Sequence, residues 1–377
     1  LKVTSVEVSD FRNIVRQSVS FGDGVNLIVG ANGQGKTNLV EAIAFLSWLK
    51  SFRSPRTADL IRACDGVGGA LLAAVVDGRC GTHEIRAEIG RGWRKILIDG
   101  APAASARDTM QMLSVSCLSP EDPAILEGGP EGRRILVDRF AAQIEPCRTG
   151  VFTTWARLTR ERNALLRADR RDADLMDAVE QNMARTGAEY ARIRLDAVGR
   201  IASRLPSMLT AMTGTDLLVR LAVRSRWLGG VDVDYCSGEF LECASEALRR
   251  ELAARRDSDT ILGYTSAGPG MDDIEVGLEG LKARGHASRG QKKVLMLAWK
   301  AAEAAEIARL RGETPVLVLD DALADLDPER QDGVVRFLRS YAGQSFITSA
   351  AVQPSLFEGA SVIMAAGGTY CRCSSGG

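Results

Sequence analysis

The octet Gly30-Ala31-Asn32-Gly33-Gln34-Gly35-Lys36-Thr37 constrains this chain more than any other feature. It has the form GxxxxGK[ST]. Before it stands the apolar run Val25 to Val29; after it, from Thr37 to Lys50, apolar residues recur at 39, 40, 43, 46 and 49. The run predicts a buried strand ending at a glycine, and the recurrence predicts a helix. A glycine-rich turn between strand and helix lets backbone amides curl around phosphate oxygens, and the helix N-terminus adds its dipole. In such a loop the lysine, Lys36, reaches the β- and γ-phosphates, and the hydroxyl of Thr37 ligates magnesium. The expected core is therefore a nucleotide-binding α/β layer.

A second pattern, Val316-Leu317-Val318-Leu319-Asp320-Asp321, is an apolar strand ending in two acids. Alone it could equally be a buried strand that ends at solvated carboxylates. Behind a phosphate loop it reads as a Walker B strand, with Asp320 on magnesium and Asp321 as the base that orients water. Just upstream, Ser288-Arg289-Gly290-Gln291 opens a helix predicted from Arg289 to about Leu310, and Ser288-x-x-Gln291 is a capping box. Alone that is an ordinary capped helix. Its place before the Walker B strand is where ABC-type ATPases carry the signature motif, which closes the nucleotide site of the opposite subunit. Asp325-Leu326-Asp327 then stands where a D-loop would, or forms a polar turn. Thr348 lies where this class has its switch residue.

Composition narrows the rest. Forty-eight basic and 48 acidic residues give zero net charge, so any nucleic-acid contact must be a local basic face. No stretch reaches a membrane span's length without a charge. The opening LKVTSVEVSD has no basic segment followed by an apolar run, so no signal peptide is expected. Eight scattered cysteines suit a reducing cytoplasm, and the two histidines lie in no Cys/His cluster, so a zinc site is not expected. Residues 70–98 read as an antiparallel unit with turns at Asp77-Gly78 and Asp99-Gly100, whereas 130–256 is rich in Arg and Ala and reads as helical.

With these motifs in place the chain resembles the RecF family of bacterial recombination-mediator ATPases, relatives of the SMC proteins. The resemblance rests on Asp10-Phe11-Arg12-Asn13, on Gly30 to Ala42 with Asn38 after Thr37, on Ser51-Phe52-Arg53 and on Ser119-Pro120-Glu121-Asp122. It continues through Gly129-Pro130 with Arg133-Arg134, Arg162 to Leu166, Gly268-Pro269 with Asp272-Asp273, Ser288 to Glu303 and Leu319 to Asp327. The interval between the Walker motifs holds no sustained heptad run, so no long coiled-coil arm is expected.

The resemblance implies an α/β ABC-type ATPase head, a P-loop core with an antiparallel β subdomain, at 1–130 and 260–377. An inserted, mainly helical lobe on the signature side would occupy 131–259. It implies ATP and Mg2+ as cofactors. Arg12, Gly30, Ala31, Asn32, Gly33, Gln34, Gly35, Lys36, Thr37 and Asn38 would contact the nucleotide, with Lys36, Asp320 and Asp321 catalytic. Ser288, Gly290, Gln291 and Asp325 would close the site across an ATP-dependent homodimer. It further implies weak, DNA-stimulated ATP hydrolysis, binding to double-stranded DNA and gapped duplex, RecR-like and RecO-like partners, and a cytoplasmic, nucleoid-associated protein with no membrane contact. The chain departs from the family at Gly270-Met271, where His-Arg is usual, at Asp325, where Glu is usual, and at Arg289.

DNA contact is expected through arginines that neutralise phosphates. Candidates are Arg53 and Arg56, then Arg133, Arg134 and Arg139, then Arg157, Arg160, Arg162 and Arg167 at near-helical spacing. Aromatic residues make up only 5% and do not alternate with basic ones, which favours duplex backbone contact over a base-stacking platform. The competing reading is an ABC-type ATPase that drives another machine, a transporter or a nuclease partner.

Overall fold

A computed structural model describes residues 1–54, 56–168, 172–231, 233–350, 357 and 359–373. The chain divides into two compact units: 1–124 with 204–217 and 287–377, and 125–203 with 218–286.

In the first unit, β1 (Lys2–Phe11) pairs antiparallel with β2 (Ile14–Ser20) and with β4 (Gly69–Gly78). A bulge between Val3 and Ser5 breaks the two-residue alternation, which is why Val3, Val6 and Val8 all face the core. The sheet continues through β5 (Gly81–Gly90), β6 (Trp93–Ile98) and the short β7 (Ala101–Pro102). Asp99-Gly100 makes the turn expected of it, with both residues at positive φ. Asp77-Gly78 does not: pairing runs on to Gly78 opposite Gly81, and the loop is Arg79-Cys80. The same unit holds β3 (Val25–Val29), α1 (Lys36–Trp48), α2 (Ala106–Met112) and β8 (Val115–Leu118).

The second unit is built on α3 (Pro130–Ile144), α4 (Thr149–Leu166), α5 (Ala173–Thr213), α6 (Phe240–Ala254) and α7 (Arg256–Leu262). The last turns of α5, from Arg204, belong to the first unit. Phe240, Ala244, Leu248 and Leu252 recur every four residues along α6, and this stripe packs on Trp155, Leu158, Met183 and Ala188. The unit also contains a three-stranded sheet of β9 (Val219–Arg224), β10 (Asp273–Leu278) and β11 (Leu281–Lys282). Because β10 pairs with β9, residues 260–286, expected with the head, group with this unit.

The remainder of the chain completes the first unit with α8 (Arg289–Arg311), β12 (Val316–Leu319), α9 (Pro328–Ser340), β13 (Ser345–Ser349), β14 (Ser361–Ala366) and β15 (Thr369–Arg372). Its second sheet has the order β15-β14-β3-β13-β12-β8, parallel except for the antiparallel edge strand β15. Every residue of β8, β12 and β13 is buried, as in a sheet covered on both faces. No helix among the described residues is long and apolar enough to cross a membrane.

Candidate nucleotide site

The parallel register brings three strand ends together. Leu319 lies opposite Ile347, and Thr348 opposite Ile28, so Asp320 and Thr348 come level at the carboxyl end of the sheet, with Gly30 two residues farther along the neighbouring chain. Ligands of open α/β sheets bind at such carboxyl ends. Gly30 must lack a side chain, because a Cβ would lie 2.3 Å from the Ala365 carbonyl oxygen. At the loop's other end Gly35 caps α1 with φ +103 and ψ 4, a conformation closed to most residues. Between them the chain curls back, with the Gln34 amide donating to Ala31 O at 3.4 Å.

Lys36 is 7% exposed and donates its Nζ to Gly30 O at 2.5 Å and Ala31 O at 2.9 Å. The ammonium is thus folded over the loop whose amides form the cradle. Burial lowers its pKa from the ordinary 10.5, and the nearby carboxylates of Asp321 and Asp320 oppose the shift. Thr37 Oγ1 donates to Asp320 Oδ1 at 3.0 Å across 283 residues of chain, and Thr348 Oγ1 donates to the same oxygen at 2.5 Å. Asp320 is 1% exposed, and burial raises its pKa above the ordinary 3.8 against those two hydroxyl bonds. Its other oxygen, Oδ2, is buried with no hydrogen-bond partner among the described residues. A carboxylate so placed, beside a threonine hydroxyl, suits a hard cation that takes oxygen ligands. No group of three or more His, Cys, Asp or Glu among the described residues is arranged to hold a metal. A divalent ion here would need phosphate oxygens as well.

Asp321 has φ +52, its amide donates to Thr348 Oγ1 at 2.9 Å, and its carbonyl accepts from Lys293 Nζ at 2.8 Å. Lys293 also donates to Ala324 O at 2.5 Å. This lysine was not singled out from the sequence; its one signal is a place on the signature helix, a turn after Ser288. Asp325 is likewise at positive φ, +59, and Asp327 caps α9 by accepting from the Arg330 amide at 2.9 Å.

The other expected contacts fall in two groups. Asn38 Nδ2 donates to Asn13 Oδ1 at 2.7 Å, and Arg53 Nη1 donates to Asn38 Oδ1 at 2.9 Å, so these flank the loop. Arg12 forks onto the wholly buried Glu41 (Nε to Oε2 3.0 Å, Nη2 to Oε1 2.7 Å) and donates Nη1 to Asp59 O. Ser288 and Gln291 form the expected reciprocal cap: the Ser288 amide donates to Gln291 Oε1 at 2.7 Å, and the Gln291 amide to Ser288 Oγ at 3.2 Å.

The arginines nominated for DNA do not share one surface role. Arg133 is 4% exposed; its guanidinium is spent on Asp273 at 2.9 and 3.1 Å and on the carbonyls of Ile125, Leu126 and Gly128. Arg162 is wholly buried and bonded to Glu180, Asp259, Thr265 and Leu252 O. Neither can neutralise a phosphate in this fold. Arg134 donates to Asp272 O, while Arg157, Arg160 and Arg56 stay exposed. A cavity of about 960 Å3 in the second unit, edged by Arg185, Glu189, Glu246 and Arg249, contains none of these residues.

Comparison with known proteins accords with this geometry. Residues 2–367 match the family model described as RecF/RecN/SMC N terminal domain. The chain is 34% identical over 350 residues to the DNA replication and repair protein RecF of Anaeromyxobacter sp. (strain Fw109-5), covering 93% of this chain and 92% of that protein. It is 33% identical over 361 residues to the protein of that name from Myxococcus xanthus, covering 96% and 93%. Among solved structures, the recombination mediator protein RecF-ATP in the RecFOR pathway superposes with a TM-score of 0.87 at 25% identity, over 99% of this chain and 97% of that one. An SMC head bound to the C-winged helix domain of ScpA gives 0.56 at 16% identity, over 99% and 97%, a likeness of fold alone.

Proposed function

The chain belongs to the RecF/RecN/SMC N terminal domain family, among its RecF proteins, and from that premise we propose that it is an ATP-dependent DNA-binding ATPase of replication and recombinational repair. Two copies close on ATP, and the closed dimer grips double-stranded DNA near single-stranded gaps. Slow, DNA-stimulated hydrolysis resets it. RecR-like and RecO-like proteins are the partners with which it helps load the recombinase, at the nucleoid in the cytoplasm. The ATPase head is assigned to the first unit, 1–124 with 204–217 and 287–377, and the signature-side lobe to the second, 125–203 with 218–286.

One observation carries the reading: Thr37 and Thr348, from separate segments, both donate to one buried acid, Asp320, while the neighbouring Lys36 folds over the glycine-rich loop. Amides of the loop and the Lys36 ammonium bind and orient the phosphates. Thr37 and Asp320, whose Oδ2 is unpartnered, would hold Mg2+, which supplies charge neutralisation on the β- and γ-phosphate oxygens when bound. Thr348 keeps Asp320 in place and also fixes the Asp321 backbone. The Asp321 carboxylate, outside these bonds, orients the attacking water. Ser288, Gly290 and Gln291 of one copy, with Asp325, cover the γ-phosphate held by the other.

The test is the solution mass of Asp321→Asn by light scattering, with and without Mg-ATP. Blocked turnover traps the closed form, so the mass is expected to double on ATP. A protein that binds ATP yet stays monomeric, with gapped duplex present as well as absent, removes the signature role from Ser288-Gly290-Gln291.

A further inference from the structure

The last two described strands meet the phosphate loop at Gly30, Gln34 and Gly35. Strand β14 runs parallel to β3 with Met364 opposite Val29, which sets the Ala365 carbonyl against Gly30. The chain then turns at Gly367-Gly368, with φ +58 and +81, between Ala366 and Thr369. Two positive φ values in a two-residue loop are the mark of a type I′ hairpin turn. The turn's two amides both donate to Gln34: Gly367 N to Oε1 at 2.6 Å and Gly368 N to the backbone oxygen at 3.0 Å. Two residues on, Tyr370 donates its hydroxyl to Gly35 O at 2.7 Å, across 335 residues of chain.

Gly35 has no side chain with which to cap α1. Its carbonyl accepts from the amides of Asn38 at 2.9 Å and Leu39 at 3.2 Å, and the Tyr370 hydroxyl is the third donor on the same oxygen. Tyr370 is 6% exposed, and its own amide donates to Gln17 Oε1 at 3.1 Å, so the ring is anchored. Burial pushes the phenol's pKa upward, which keeps it protonated and a donor throughout the ordinary pH range. The phosphate loop is therefore tied from outside as well as shaped by its own glycines.

We propose that Tyr370 is a positioning residue for the nucleotide: with the Gly367-Gly368 turn it forms a clasp that holds Gln34 and Gly35 in the anion-binding conformation. The inference rests on the reading of Gly30–Thr37 as the nucleotide site. Its physical content is preorganisation. An untethered glycine-rich loop samples many backbone states and must give them up on binding, whereas a tethered one has already done so.

The test is Tyr370→Phe, which keeps the ring and deletes only the hydroxyl. Affinities for Mg-ATP and Mg-ADP are measured by titration calorimetry, and kcat at saturating ATP by phosphate release. Both dissociation constants are expected to rise by about the same factor, roughly five- to tenfold for one hydrogen bond, with kcat within about twofold of the parent. Gly368→Ala keeps the hydroxyl but spoils the turn, since its Cβ would lie 2.6 Å from Asn13 O; it should weaken binding in the same direction. A purely structural tyrosine would lower the melting temperature and leave both affinities unchanged, and that result overturns the proposal. Lys36→Ala serves as the control. If it binds ATP as well as the parent, or if the parent binds none, the site reading itself has failed.

Discussion

Asp320 shows how one residue can be set for chemistry at the expense of stability. Its carboxyl is almost wholly out of water, and burial raises its pKa. The folded state therefore binds a proton more readily than the unfolded chain does. The contribution of Asp320 to stability is greatest at low pH and declines as pH rises from the ordinary 3.8 through the raised value. In nucleotide-free protein at neutral pH, Asp320→Asn is expected to raise the melting temperature by roughly 2–4 °C. The gain should shrink as pH falls toward 4, where the parent is protonated too. A variant that melts lower than the parent at pH 7.5 contradicts this account. Arginines teach the complementary lesson. Arg133 and Arg157 look alike in the sequence, but Arg133 meets Asp273 from a strand 140 residues away and is buried, whereas Arg157 pairs with Glu161 one turn along its own helix and stays exposed. Of these two, Arg157 alone remains a candidate for phosphate.

At the scale of elements, the signature helix is the most legible piece. Its start was readable because a capping box is local: Ser288 and Gln291 are three residues apart and satisfy each other's amides. Ser288→Ala should cost about 1 kcal/mol, as other N-cap deletions do. Ser288→Thr should keep most of it, both read from chemical denaturation. An unchanged midpoint for the alanine variant would mean that tertiary packing alone holds the helix start. The hairpin β4–β5 was less legible. Asp77-Gly78 has turn chemistry, yet cross-strand pairing with β5 carries the strand through it. The partner strand's register outweighs a dipeptide's preference.

At the scale of the molecule, the second unit is held by buried charges, among them Arg162, which the sequence offered as a phosphate contact. Arg162 joins Glu180 of α5 and Asp259 of α7, all buried, while Arg256 binds Glu180 from the other side. Removing the cation leaves two carboxylates out of water, so Arg162→Ala is expected to destabilise the protein by about 3–5 kcal/mol. Calorimetry showing the melting of residues 125–203 and 218–286 unshifted would refute that. The sequence by itself determined the phosphate loop between strand and helix, the acid-tipped strand, the capped helix and the family. Each of these is written in contiguous residues whose backbone and side-chain chemistry act on near neighbours. Only the tertiary structure decided that Thr37 and Thr348 meet on one oxygen of Asp320, that Tyr370 reaches Gly35, and which arginines are spent inside. Those outcomes depend on strand order and helix packing, which bring together groups hundreds of residues apart, and no local pattern encodes which partner a long side chain will meet.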